Sequence, residues 1–270
     1  MNAPEKISVS QLPDVQSEAD PRAIEIQKVG IRGIKYPIKI TGKSNFSSVA
    51  TIDMTVSLDA DVKGTHMSRF IEVLQDHNEP FNNSSLLSLA KKMLSKLEAK
   101  NGWIKLNFPY FINKTAPVSG VESLMDYDVS LEVDCHKTKT DVITLNVVVP
   151  VTSLCPCSKN ISEYGAHNQR SHISISTSLI DTSLSVEQLV EIAEKSASCE
   201  LWGLLKRPDE KFVTEKAYDN PKFVEDLVRD VSVYLKKLVV QNKISKYSVE
   251  SENFESIHNH SAFAKVGNKF

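Results

Sequence analysis

Residues 28–41 and 47–61 alternate apolar and polar side chains, the period-two signature of strands with one buried face. The period then changes. Met67, Phe70, Ile71 and Leu74 recur at helical spacing across 65–77, as do Leu86, Leu89, Ala90, Met93, Leu94 and Leu97 across 84–100. Strand character returns over 103–115 and 118–135, giving the order strand, strand, helix, helix, strand, strand. The second half repeats that order. Residues 141–152 and 172–180 read as strands, the latter setting Ile173, Ile175 and Thr177 against Ser174 and Ser176. Ser185 and Gln188 form a capping-box pattern for a helix with Leu189, Ile192, Ala193 and Leu201 on its apolar face. Asn220-Pro221 reads as an N-cap and first-turn proline, ahead of a stripe of Phe223, Leu227, Val231, Tyr234 and Leu238. Strands over 245–251 and near Phe263 close the pattern. The halves share element order but no evident residue identity. These periods predict an α+β protein with an antiparallel sheet and helices on one face. The chain is either tandem ββααββ modules or a single domain with four helices. In the tandem reading, 1–20 is a flexible arm, 21–137 the first module and 138–270 the second, with a boundary near Lys137.

With 270 residues, 41% apolar and 24% charged, the chain is of ordinary globular composition. A formal net charge of −2 gives no reason to expect nucleic acid or a membrane as partner, so any anion site must be a local cluster. Residues 1–20 are polar, with no apolar segment of the kind a signal peptide needs. The strongly apolar run 145–151 is far too short to span a bilayer. Four cysteines do not make a disulfide framework in a chain this long; reduced thiols and a cytoplasmic location are expected.

Chemistry concentrates at Cys155-Pro156-Cys157 and the following Tyr164-Gly165-Ala166-His167-Asn168-Gln169-Arg170-Ser171. Thiolate and imidazole suit borderline-soft metals, and a thiol at a strand end can also be a nucleophile. The bland reading of Cys155 is a buried structural cysteine. Cys157 ranks behind it, because on extended backbone its side chain points away from Cys155. In the tail, His258 and His260 share one face of an extended segment, with Glu255 near enough to orient one of them; a solvated tail is the alternative. Glu210 falls in a charged linker, where a solvated loop is the default reading. Glu225 lies off the apolar stripe of its helix and faces water or a partner subunit. Lys63, His66 and Arg69 surround a helix start where free N–H groups favour anions, although an ordinary capped helix start explains them equally simply.

Four blocks together resemble the GTP cyclohydrolases of prokaryotic type IB. They are Lys63-Gly64-Thr65-His66-Met67-Ser68-Arg69-Phe70, the segments 153–171 and 214–226, and the tail 252–260. The resemblance implies the tunnelling fold (T-fold), built from ββααββ modules that assemble into barrels, and a homotetramer with active sites between subunits. It implies conversion of GTP and water to 7,8-dihydroneopterin triphosphate and formate, at the entry to folate synthesis. It assigns Cys155, His167 and Glu210, with His258 as a further contributor, to one divalent ion per site. That mixed donor set suits Mn2+, Fe2+ or Zn2+, and Cys155 counts among the catalytic residues. Glu225 would read guanine N1–H and its exocyclic amine. Glu255 and His260, with His258 in reserve, would move protons. Lys63, His66, Arg69 and Arg170 would contact the triphosphate.

Two alternatives compete. A queuosine-pathway nitrile reductase of the same fold would use Cys155 as a covalent nucleophile, and Phe223-Val224-Glu225 suits it. However, Cys157-Ser158-Lys159 replaces the Val-Thr-Gly-Gln run expected after that enzyme's cysteine. A non-catalytic purine-binding scaffold, or one holding only a structural metal, is the second.

Overall fold

A computed structural model describes residues 14–41 and 45–268. Its frame is one antiparallel sheet of eight strands in sequential order. The strands are β1 (Ile26–Ile40), β2 (Phe46–Leu58), β3 (Asn101–Thr115), β4 (Glu122–His136), β5 (Val142–Leu154), β6 (Asn168–Leu179), β7 (Ile244–Asn253) and β8 (Ala262–Gly267). Helices α1 (Met67–Gln75) and α2 (Asn83–Lys96) connect β2 to β3. A short α3 (Pro156–Ile161) follows β5, while α4 (Val186–Ser196), α5 (Arg207–Asp219) and α6 (Val224–Val240) connect β6 to β7. The two halves meet where β4 pairs with β5, so the sheet runs through without a break. The predicted α+β layering is what the chain adopts.

Strand alternation sends Ile52, Met54, Ile104, Leu106, Leu145, Val147, Ile173 and Ile175 to one face, where the helices bury them under Phe70, Leu86, Leu89, Met93, Leu189, Leu227 and Val231. Each such side chain contributes roughly 1.5–3 kcal/mol by leaving water. Gly102 leaves room for α2 to pack closely on the sheet. A Cβ there would meet Met93 Cε at 2.7 Å and Leu94 Cδ2 at 2.8 Å.

Polar ties also cross between the halves. Lys114 Nζ on β3 lies 2.6 Å from Glu194 Oε1 on α4, which also accepts from Tyr127 Oη at 3.0 Å. Lys114 also donates to the Leu201 carbonyl at 2.6 Å, and Trp202 Nε1 to the Thr115 carbonyl at 3.0 Å.

The structure corrects several sequence readings. Glu210 lies on helix α5 rather than in a linker, because the helix is anchored by one buried carboxylate instead of an apolar stripe. Asp209 accepts from the amides of Val118, Ser119 and Lys206 and from Ser119 Oγ. Asn220 ends α5 rather than starting α6; its Nδ2 donates to the Ala197 carbonyl at 2.8 Å, and α6 begins at Val224. Leu201 lies beyond α4, which stops at Ser196. Ser185 does cap α4 with Gln188 as predicted.

Of the predicted arm, 1–13 fall outside the described residues. Ala19 pairs with Val62, and Gln16 Nε2 donates to the Thr65 carbonyl at 3.2 Å. Among the described residues no helix is long and apolar enough to cross a membrane.

Candidate active site

The site forms where β5 and β7 end and β6 and β8 begin. Cys155 follows β5 directly and caps α3, its Sγ accepting from the Ser158 amide at 3.4 Å. Pro156 stands in the first turn of α3, where its missing N–H costs nothing. This helix overturns the extended backbone assumed for Cys157, whose thiol is exposed on its first turn. The chain then returns through Gly165 at φ +111°, a conformation open essentially to glycine alone. The Cys155 amide donates to the His167 carbonyl at 3.1 Å, so the two residues face each other at the mouth of the β5–β6 ladder.

His167 Nδ1 lies 3.0 Å from Gln169 Oε1 and 3.9 Å from Glu255 Oε2. Gln169 in turn donates from Nε2 to Ser153 Oγ at 2.8 Å, and Ser153 Oγ lies 2.7 Å from Ser171 Oγ. The Lys222 amide donates to the Leu154 carbonyl at 3.0 Å, docking the start of α6 against the end of β5. Glu225 therefore projects from the first turn of α6, where the helix dipole favours a carboxylate. Cys155, Gln169, Lys222, Phe223, Glu225, Asn253 and Glu255 line one cavity of about 180 Å³. A second cavity, about 550 Å³, is lined by Tyr164, Gly165, Ala166 and Asn168 together with Thr214 and Tyr218 of α5.

The remaining predicted residues are placed differently. Glu210 is exposed one helical turn before Thr214. His258 and His260 are exposed on the β7–β8 loop, their rings stacked with centroids 5.2 Å apart. Arg170, one position from Gln169 along β6, lines a separate cavity with Asp126, Asp128 and His172. Lys63, His66 and Arg69 follow β2 at the opposite end of the sheet. There Lys63 pairs with Glu18, His66 Nε2 lies 3.4 Å from Asp14, and Arg69 donates to the Lys96 carbonyl at 3.3 Å. One protomer therefore does not bring these cations to Cys155. Among the described residues, no three His, Cys, Asp or Glu side chains converge closely enough to hold a metal ion. The donor chemistry of Cys155 and His167 fits a borderline-soft ion as two of its ligands.

Sequence reasoning missed Gln169, Ser153, Asn253 and Lys222 as site residues. The His167-to-Gln169 spacing of two, on a strand, was the available signal for the first.

This is a tunnelling-fold protein. A uricase from Arthrobacter globiformis superposes with a TM-score of 0.51 at 7% identity, covering 89% of this chain and 92% of that one, which shows shared fold alone. Within that fold, residues 12–264 match the family described as type I GTP cyclohydrolase folE2, and the chain belongs to it. It is 56% identical over 268 residues to GTP cyclohydrolase FolE2 1 of Dechloromonas aromatica (strain RCB), covering 98% of each chain. It is 57% identical over 257 residues to GTP cyclohydrolase FolE2 of Ralstonia nicotianae, covering 94% of each.

Proposed function

We propose that this protein is a metal-dependent GTP cyclohydrolase that converts GTP and water to 7,8-dihydroneopterin triphosphate and formate, the first step of folate synthesis. Family membership supports the activity. The observation that carries the site reading is the meeting of Cys155, Glu225 and Glu255, from three separate elements, around one cavity beside His167. The relatives lend no support to the nitrile reductase.

One divalent ion, Mn2+, Fe2+ or Zn2+, would be held by Cys155 and His167, with Glu210 and His258 as the remaining proposed ligands. When bound, it supplies the lowered water pKa that hydrolysis of the guanine imidazole ring requires near neutral pH. Glu225 accepts from guanine N1–H and the exocyclic amine, a two-point contact that adenine does not offer. Glu255 and His260 move protons as the ring opens and recloses, with His258 in reserve. Lys63, His66, Arg69 and Arg170 hold the triphosphate. Since Lys63, His66 and Arg69 stand at the far end of the sheet from Cys155, this role requires that a second copy supply them. That is the reason to propose a homotetramer with active sites between subunits. A cytoplasmic location, where GTP is available and thiols stay reduced, completes the reading.

The test is incubation of Mn2+-, Fe2+- or Zn2+-reconstituted protein with GTP, followed by oxidation and detection of a fluorescent pterin, with formate measured in parallel. Wild type should form both, and Cys155→Ala should lose turnover while keeping its circular dichroism. Formation of neither product by any metal form would overturn the proposal.

A further inference from the structure

An imidazole offers a lone pair only at the nitrogen that carries no hydrogen, so a histidine's tautomer decides which nitrogen binds. At His167 the surroundings of Nδ1 are two oxygens, Gln169 Oε1 at 3.0 Å and Glu255 Oε2 at 3.9 Å. An amide carbonyl accepts hydrogen bonds and donates none, and a carboxylate oxygen beside it is a further acceptor, so this geometry favours a proton on Nδ1. At its other end the Gln169 amide donates from Nε2 to Ser153 Oγ at 2.8 Å, and Ser153 Oγ lies 2.7 Å from Ser171 Oγ. Gln169 is 7% exposed and the two serines are fully buried, so water does not compete for these bonds. The strand register builds this chain of contacts. Gln169 stands opposite Ser153 in the ladder, and His167 lies two residues before it on the same face.

We infer that Gln169 is a positioning residue that holds His167 as the Nδ1–H tautomer and leaves Nε2 as the ring's lone-pair nitrogen. The functional meaning rests on the proposed role of His167 as a metal donor, but the tautomer is a property of the chain alone. A glutamine suits this role better than a glutamate, because it supplies the acceptor without a third negative charge beside Glu225 and Glu255.

The experiment is solid-state ¹⁵N spectroscopy of metal-free protein labelled at histidine, at about pH 8.5, well above the ordinary imidazole value. The His167 signals are identified by their loss in His167→Gln. The expected spectrum shows a proton-bearing Nδ1 and a bare Nε2 in wild type and in Gln169→Glu. In Gln169→Met the two tautomers should mix, and zinc affinity measured by chelator competition should fall about 10- to 100-fold. A proton on Nε2 in wild type would overturn the inference. So would an Nδ1–H form, or a zinc affinity, that Gln169→Met leaves unchanged. If Gln169→Met does not fold, the wild-type spectrum still decides, because an Nε2–H form sinks the inference by itself. No substrate enters this measurement, so its outcome is separate from whether pterin forms.

Discussion

The backbone amide of Cys155 bonds the carbonyl of His167 at 3.1 Å, which makes a thiol and an imidazole opposed residues at one ladder end. The chain between them folds into α3 and turns at Gly165, so the pairing depends on local backbone and not on a ligand. Glu225 and Glu255 then arrive from α6 and from the end of β7.

Glu225→Gln should lower kcat/KM for GTP by about 10- to 100-fold, the worth of a charge-assisted hydrogen bond. Inosine triphosphate lacks the exocyclic amine, so it should lose less and the preference between the two should narrow. Steady-state kinetics with both nucleotides checks this; equal losses would show that Glu225 does not read the exocyclic amine.

The exposed thiol of Cys157 should separate cleanly from the buried ones of Cys135 and Cys199. Burial pushes Cys199 up to about 12 and Cys135 up to about 11, with the neighbouring Glu200 and Asp141 charges adding to the shift. At pH 8 Cys199 therefore stays a thiol, the unreactive form. Cys157 is exposed and should react with a thiol reagent within minutes, whereas Cys135 and Cys199 should react only in denaturant. Mass spectrometry of timed, alkylated samples reports the order.

Asp209 makes a definite contribution to acid stability. Burial pushes its carboxyl upward, but the hydrogen bonds from Ser119, Lys206 and Val118 outweigh this and hold it well below its ordinary value of 3.8. A lowered folded-state value means that the stabilisation is complete above 3.8 and is lost progressively as pH falls below it. Asp209→Asn should therefore be less stable than wild type at pH 7, and the gap should shrink between pH 4 and pH 2. Urea midpoints across that range give the answer; a gap independent of pH would show that ionisation of Asp209 is irrelevant.

Lys114→Met should destabilise the protein by about 3 kcal/mol, because it leaves the nearly buried Glu194 carboxylate without its cation. Converting Glu194 to Met as well should recover part of that loss. Equilibrium unfolding of the two variants measures both values, and a single-variant cost below about 0.5 kcal/mol would mean that the pair behaves as an exposed one.

The strands and the apolar helices were legible because period two and period 3.6 are written directly into residues such as Ile173, Ile175, Leu86 and Leu89. Helix α5 was not, since its hold on the protein is a single carboxylate, Asp209, whose partners Val118 and Ser119 lie about ninety residues earlier. Asn220 misled for a related reason. Its side chain bonds Ala197, a contact no local pattern announces. At the site, the family's motif blocks named Cys155, His167, Glu225 and Glu255, and these do come together. The distance of Lys63, His66 and Arg69 from them is a matter of which sheet end each loop leaves, and spacing along the chain does not encode it.

Among the described residues, β1 and β8 are the outermost strands of the sheet, and the outer side of β1 is met at its end by Phe81, whose amide donates to the Lys39 carbonyl. Among the described residues, the rest of the outer edge of β1, a strand of fifteen residues, has no sheet partner. Such an edge is a template for pairing with a strand of another chain, which is a route to aggregation. Clumping by that route would need no loosening of the packed interior.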